Sequence, residues 1–387
     1  MRITSLILFF IILSWKSIAQ QDTVQHILIS DINVQIDATE ALNDLYNFHF
    51  EEAEAKFREI KSNYNWHPLP YFLLGLSEWW KIMPNLNSTE HDDSFIAYMD
   101  STIYVANRLY KNKNYVIESS FFLAAAYGFK GRLYSTEERK QWRKAASAGK
   151  QALKYLEISK ERKELSPELL FGDALYNYFS VWIPENYPIL KPILAFFPKG
   201  DKMLGLEQLK EVSSNAFYTR TEAQVFLMMI LNSYENNRPR ALQIGEYLHE
   251  TFPENPYFHR YYARLLYSTG QYRECLEVSE QIMQRIDSNK LGYEANSGRY
   301  AGFFLGQIYQ ARNDTVRAKI NYKKTITYAE EIGALESGYY LFSMLYLGKI
   351  LKGEGKEDEA EELFKTIKKN SSRRHSANKG AREAMRG

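Results

Sequence analysis

Three stretches of this chain place a small residue on one amphipathic segment and a second small residue 12 positions later. Ala263 and Cys275 do so in "YYARLLYSTGQYRECLEVSEQI". Gly306 and Ala318 do so in "FFLGQIYQARNDTVRAKINYKKTI", and Gly348 and Ala360 in "LYLGKILKGEGKEDEAEELFKTI". A fixed step of this kind, with apolar residues at helical spacing on both sides of a turn, predicts two helices that cross where their side chains are small. One such pair cannot cover its own apolar face. It must stack on the next, so the chain is expected to form one continuous array.

The same residues resemble the tetratricopeptide repeat, with Leu-Gly in the first helix, Gly at the turn, Ala and an aromatic in the second, and often Pro at the end. Leu305-Gly306, Leu347-Gly348, Gly270, Gly355, Tyr322 and Phe364 carry the likeness. Looser units follow it: "FHFEEAEAKFREI" with Ala53, "YFLLGLSEWW" with Gly75, and "RPRALQIGEYLHETFPENP" with Ala241. The resemblance implies an all-α, right-handed α-solenoid over residues 20–370, clearest at 257–289, 300–332 and 342–370. A second likeness touches the centre of the chain. "FGDALYNYFSVWIPENYPILKPILAFFPKGDKMLGLEQL" is similar to the middle of the eukaryotic tetratricopeptide-repeat-39 (inclusion-body-clearance) family, and it implies fold only.

That central stretch breaks the pattern. Between Ser180 and Lys202 stand four prolines, Trp182, Tyr187 and the run Ile193-Leu194-Ala195-Phe196-Phe197. Pro184 is expected to end a helix, and 184–200 reads as a helical insertion. A connection this apolar must be covered, because leaving such side chains in water costs about 1.5–3 kcal/mol each. It either folds back on its neighbours or meets a partner or membrane through Trp182, Tyr187, Ile193, Phe196 and Phe197.

The N-terminus has the look of a secretory signal over residues 1–19. Arg2 precedes the unbroken run Leu6 to Leu13, and Ser17-Ile18-Ala19 supplies small residues for cleavage. The expected location is the periplasm or outer membrane of a Gram-negative bacterium, or secretion. Losing 1–19 removes Arg2 and Lys16 and no acid, leaving 47 residues of each sign. A balanced charge argues against a nucleic-acid partner. With one cysteine, Cys275, no intramolecular disulfide can form. From Lys365 onward, however, eight Lys and Arg face one acid, Glu383, and 371–387 reads as a basic tail. It is either a solvated end or a contact for anionic lipid headgroups.

No nucleotide-binding, zinc-protease or serine-hydrolase pattern is present, so a non-catalytic chain with no cofactor and no metal is expected. His91 in "EHDD" reads as part of a polar helix start, and Cys275 as a packed thiol. In tetratricopeptide arrays the first helix of each pair lines the concave groove. The resemblance therefore implies a partner-binding groove of Arg260, Arg264 and Tyr267, then Phe303, Gln307 and Gln310, then Leu345, Lys349 and Lys352. Its cations suit an acidic peptide or a chain-terminal carboxylate, unless they are merely solvated. The expected function is a protein-binding scaffold. The alternatives are a peripheral membrane or envelope-assembly factor and a glycan-binding protein using aromatics such as Trp79-Trp80.

Overall fold

The computed structural model describes residues 27–188, 191 and 198–386. The signal-like opening and Ile193, Phe196 and Phe197 lie outside them. Seventeen α-helices follow one another among the described residues: α1 (Ile32–Tyr46), α2 (Phe50–Asn63), α3 (Leu69–Ile82), α4 (Asp92–Leu109), α5 (Val116–Tyr134), α6 (Trp142–Ser159), α7 (Leu170–Asn186), α8 (Lys202–Asn215), α9 (Arg220–Ser233), α10 (Arg238–Thr251), α11 (Pro256–Ser268), α12 (Tyr272–Asp287), α13 (Ala295–Ala311), α14 (Thr315–Glu331), α15 (Gly338–Gly353), α16 (Glu357–Lys369) and α17 (Ser376–Ala384). Each apart from α6 packs closely on the next, so the described residues form an all-α array of helix pairs.

The predicted crossings are present. The Cys275 thiol meets the Ala263 carbonyl at 3.5 Å. A Cβ on Gly306 would lie 2.5 Å from the Tyr322 ring, and one on Gly348 2.6 Å from the Phe364 ring. The two glycine pairs close because the first helix gives up a side chain for the aromatic of the second.

The turn inside each pair also repeats. Phe48, Lys140, Asn236, Gly270, Asn313 and Gly355 all have left-handed φ, between 47° and 79°. Each stands five positions before the small residue of its second helix: Ala53, Ala145, Ala241, Cys275, Ala318 and Ala360. After four of them the next N–H donates to the carbonyl five residues back: His49 to Asp44 (3.0 Å), Gln271 to Leu266, Asp314 to Tyr309 and Lys356 to Leu351 (each 2.9 Å). This left-handed closure satisfies carbonyls that the ending helix leaves free. The α1/α2 pair thus obeys the full rule, with Ala41 and Ala53 12 residues apart and both fully buried.

Within the pairs, α3/α4 and α7/α8 have the longest connections, residues 83–91 and 187–201, and α5/α6 an intermediate one, residues 135–141. Helix α7 continues through Pro184 to Asn186, contrary to the expected stop. A proline there sacrifices one hydrogen bond of the last turn, and the helix closes regardless with Tyr187 N–H on Ile183 O at 2.8 Å. The basic stretch differs from expectation too. Residues 376–384 form α17, which packs on α15 and α16 through buried Ala377 and Ala381. The sequence missed it because only two alanines, not a larger apolar stripe, face the array.

Candidate functional site on the inner face of the array

Odd-numbered helices touch one another along the array: α1 with α3, α3 with α5, α11 with α13, α13 with α15, and α15 with α17. They also meet across it. Trp80 on α3 donates through Nε1 to Glu222 on α9 at 2.8 Å, and its ring lies 5.2 Å from Phe258 on α11. Arg132 on α5 sits 4.6 Å above the Trp79 ring and 5.0 Å from Phe226 on α9. The first helices of distant pairs therefore face each other, and they line the inside. Trp79 and Trp80 are 1% and 0% exposed. They offer no platform to a sugar, which removes the glycan reading that rested on them.

The inside is not an empty groove along its whole length. The 83–91 connection enters it. Arg260 donates to Pro84 O at 3.0 Å and Ser297 Oγ at 3.2 Å, and Asn296 donates to Pro84 O at 2.8 Å. Asn87 donates to Ile332 O at 3.2 Å. Arg139 grips the connection from the other side, donating to Ser88 O at 2.6 Å and Asp92 Oδ2 at 2.9 Å. Beside this plug lies a polar cleft of about 790 Å³, lined by Asn85, Asn87, Glu138, Asn289, Glu294 and Glu331 among others. Arg260 is thus 7% exposed and occupied. The expectation that it points into an open groove is corrected, because the chain's own backbone satisfies it.

Arg264, one turn further along α11, has a different environment. Its guanidinium lies 5.6 Å from the Tyr261 ring. Burial acts to lower its pKa, but Tyr339, Tyr261, Tyr300 and Tyr257 outweigh that and raise it. Among the described residues no carboxylate forms an ion pair with it. Beyond it Tyr300 sits between cations, 5.6 Å from the Arg260 guanidinium and 5.2 Å from that of Arg299. The Arg299 Nε is buried without a hydrogen-bond partner. Phe303 is buried at 4.9 Å from Tyr339, and Tyr267 stacks on Phe304 at 4.7 Å. Arg264, Tyr267 and Phe303 therefore belong to one wall of arginine and aromatic side chains.

The other expected groove residues separate from that wall. Gln307 and Gln310 both bond the Tyr322 hydroxyl, inside their own pair. Leu345 is buried against Gly380 of α17. Lys352 donates to Ala384 O at 2.7 Å and so holds α17, while Lys349 is exposed. The sequence reading passed over Tyr257, Tyr300, Arg299 and Arg132. Tyr257 and Tyr300 share a register, six residues before Ala263 and Gly306, and that was the available signal. Arg132 belongs to a pair with no clear repeat pattern.

At the central insertion, Trp182 is half-buried with its ring 4.1 Å from Tyr234, and Tyr187 is 53% exposed. Trp182 therefore packs on Tyr234, just past the end of α9, while Tyr187 stays largely in solvent. The buried Cys275 thiol is pushed up to about 12 by burial, so it is a packing group. Among the described residues no helix is long and apolar enough to cross a membrane.

No family model and no curated protein matches the chain. Solved structures do. The human IFIT1 dimer with PPP-AAAA is 15% identical, over 82% of this chain and 67% of that one, with a TM-score of 0.43. Yeast Tom70 is 11% identical over 91% and 96% (TM-score 0.26), and the P58(IPK) TPR domain 12% identical over 92% and 98% (TM-score 0.25). The chain's own helices make it an all-helical array of successive helix pairs among the described residues.

Proposed function

We propose that the chain is an exported, non-catalytic scaffold of the cell envelope that holds a protein partner by acidic groups on its inner face. The observation that carries this reading is Arg264, a half-buried guanidinium 5.6 Å from the Tyr261 ring with no ion-pair partner among the described residues. Such a cation is desolvated in part and pre-positioned, so a carboxylate entering the wall gains a forked, charge-assisted bond. Tyrosines around it supply contact area and hydroxyls at small entropic cost. The signal-like opening supports export.

The test is a pull-down from envelope extract with tagged protein, run beside Arg264→Glu and beside Lys319→Glu on the outer helix α14. A discrete partner retained by the parent and the α14 variant but lost from Arg264→Glu supports the reading. Equal recovery by all three refutes the inner wall as the site.

A further inference from the structure

From Lys365 onward the end of the array is strongly basic, although the first two turns of α16 carry the exposed acids Glu357, Asp358, Glu359, Glu361 and Glu362. Lys365, Lys368, Lys369, Arg373, Arg374, Lys379 and Arg386 are exposed on α16, the 370–375 connection and α17. Among the described residues, only Lys365 of these has an ion-pair partner, Glu361 at 3.0 Å. Arg382 is turned back, donating to Arg373 O and Asn378 O, and so fastens the connection to α17. Ala377 and Ala381 face the array, which leaves Lys379 on the opposite side of the helix.

A solvated cap needs a polar outer face, but it does not need one sign. The helix dipole accounts for Lys368 and Lys369 at the end of α16, opposite Glu357, Asp358 and Glu359 at its start. It does not account for Arg373 and Arg374 beyond that end, or for Lys379 inside α17. Like charges held together on an ordered surface repel, so a neutral-on-average chain gains nothing in stability from this arrangement. Its chemical complement is a surface dense in anions.

We propose that the last turn of α16, the 370–375 connection and α17 form a docking face for an anionic lipid bilayer, recognised through headgroup phosphates. Phosphate-dense membranes attract such clusters electrostatically, each cation near the surface raising binding several-fold, and the attraction fades within a Debye length. A nucleic-acid groove would interleave stacking aromatics with its cations. Here the aromatics of the segment are Phe364, which is buried, and His375, which caps α17. The proposal is independent of the inner arginine–tyrosine wall, because Lys352, the nearest groove cation, is already committed to Ala384.

The experiment is vesicle co-sedimentation of the full chain, with phosphatidylcholine vesicles and with vesicles containing 30% phosphatidylglycerol. An apolar N-terminus would bind both kinds alike, so the difference between them isolates the charged face. The expected result is binding at least tenfold tighter to anionic vesicles, lost on raising NaCl to 0.5 M. It should fall at least tenfold more in Arg373→Glu/Arg374→Glu/Lys379→Glu and persist in Arg373→Lys/Arg374→Lys. Because these side chains are exposed, the variants should unfold at the parent's temperature; Lys368→Glu/Lys369→Glu serves as a second charge reversal if the triple variant does not fold. Equal binding to both vesicle types, or unchanged binding by both charge-reversal variants, overturns the proposal. So does displacement of the chain from anionic vesicles by a stoichiometric single-stranded oligonucleotide.

Discussion

Lowering the pH should loosen the α10–α12 region through two stacked histidines. The rings of His249 and His259 lie 4.5 Å apart, and Tyr262 stacks on His249 at 5.1 Å. Arg285 donates to the Tyr293 hydroxyl at 2.6 Å, which leaves that hydroxyl's proton for His259 Nδ1, 3.0 Å away. His249 Nδ1 and His259 Nε2 are buried without partners. Burial first, then the Arg285 charge, holds His249 near 4; burial, His249 and Arg285 hold His259 near 2. Both lie below the ordinary 6.5, so the unfolded chain takes up protons first as pH falls. Their contribution is fully present above about pH 6.5 and declines below it, toward the folded values. At pH 5 each ring forgoes about 1.5 pH units at about 1.4 kcal/mol per unit, or about 2 kcal/mol. His249, partly open to solvent, counts for about 1–2 of this. A loss of about 3–4 kcal/mol between pH 7.5 and 5 is expected, and most of it should vanish in His249→Phe/His259→Asn. Urea unfolding at the two pH values gives the difference, and a proton NMR titration reads the rings directly. The reasoning fails if either ring titrates above pH 6, or if parent and double variant lose the same stability.

Two further outcomes follow from local geometry. Buried Glu168 accepts the N–H groups of Phe217 (2.5 Å), Tyr218 (3.1 Å) and Thr219 (2.9 Å) and the Thr219 hydroxyl (2.6 Å), tying α7 to the start of α9. Glu168→Ala strands all four donors and should cost about 3–5 kcal/mol in urea unfolding; a loss under 1 kcal/mol would mean that water replaces the carboxylate. Lys140 is exposed and left-handed at φ 47°, a conformation that costs a side-chain-bearing residue about 1 kcal/mol. Lys140→Gly should therefore raise the unfolding temperature, and a lower one would show that the lysine's side chain matters more than its backbone.

The legibility of this chain divides by distance along it. The crossings at Gly306 and Gly348 were readable because both partners lie within 16 residues. The left-handed turn was only half visible. Gly270 and Gly355 announce it, and Asn236 and Asn313 are residues that tolerate the same φ, but Phe48 and Lys140 adopt it without any such preference in the sequence. The fate of Arg260 was not readable at all, because Pro84 stands 176 residues away. Arg264 carries the same charge four residues later and stays clear of that plug. Periodicity gave both the same role; only the closure of the array separates them.

That closure shows why the two irregular pairs are placed where they are. Six pairs turn through a left-handed residue, which keeps first and second helices in register, and the longest of these connections, 135–141, also supplies Arg139 to grip the plug. The α3/α4 connection spends nine residues to push Pro84 between α11 and α13, where Arg260 and Asn296 hold its carbonyl. A superhelix whose first helices meet across the middle would otherwise leave that part of α11 facing an unfilled polar space, with a buried guanidinium unsatisfied. The plug thus turns an open solenoid into one with a filled waist, and it fixes how far the C-terminal units can swing from the N-terminal ones. An inner wall for a partner can then exist only beyond the plug, on α11, α13 and α15, where Arg264, Tyr300 and Tyr339 stand.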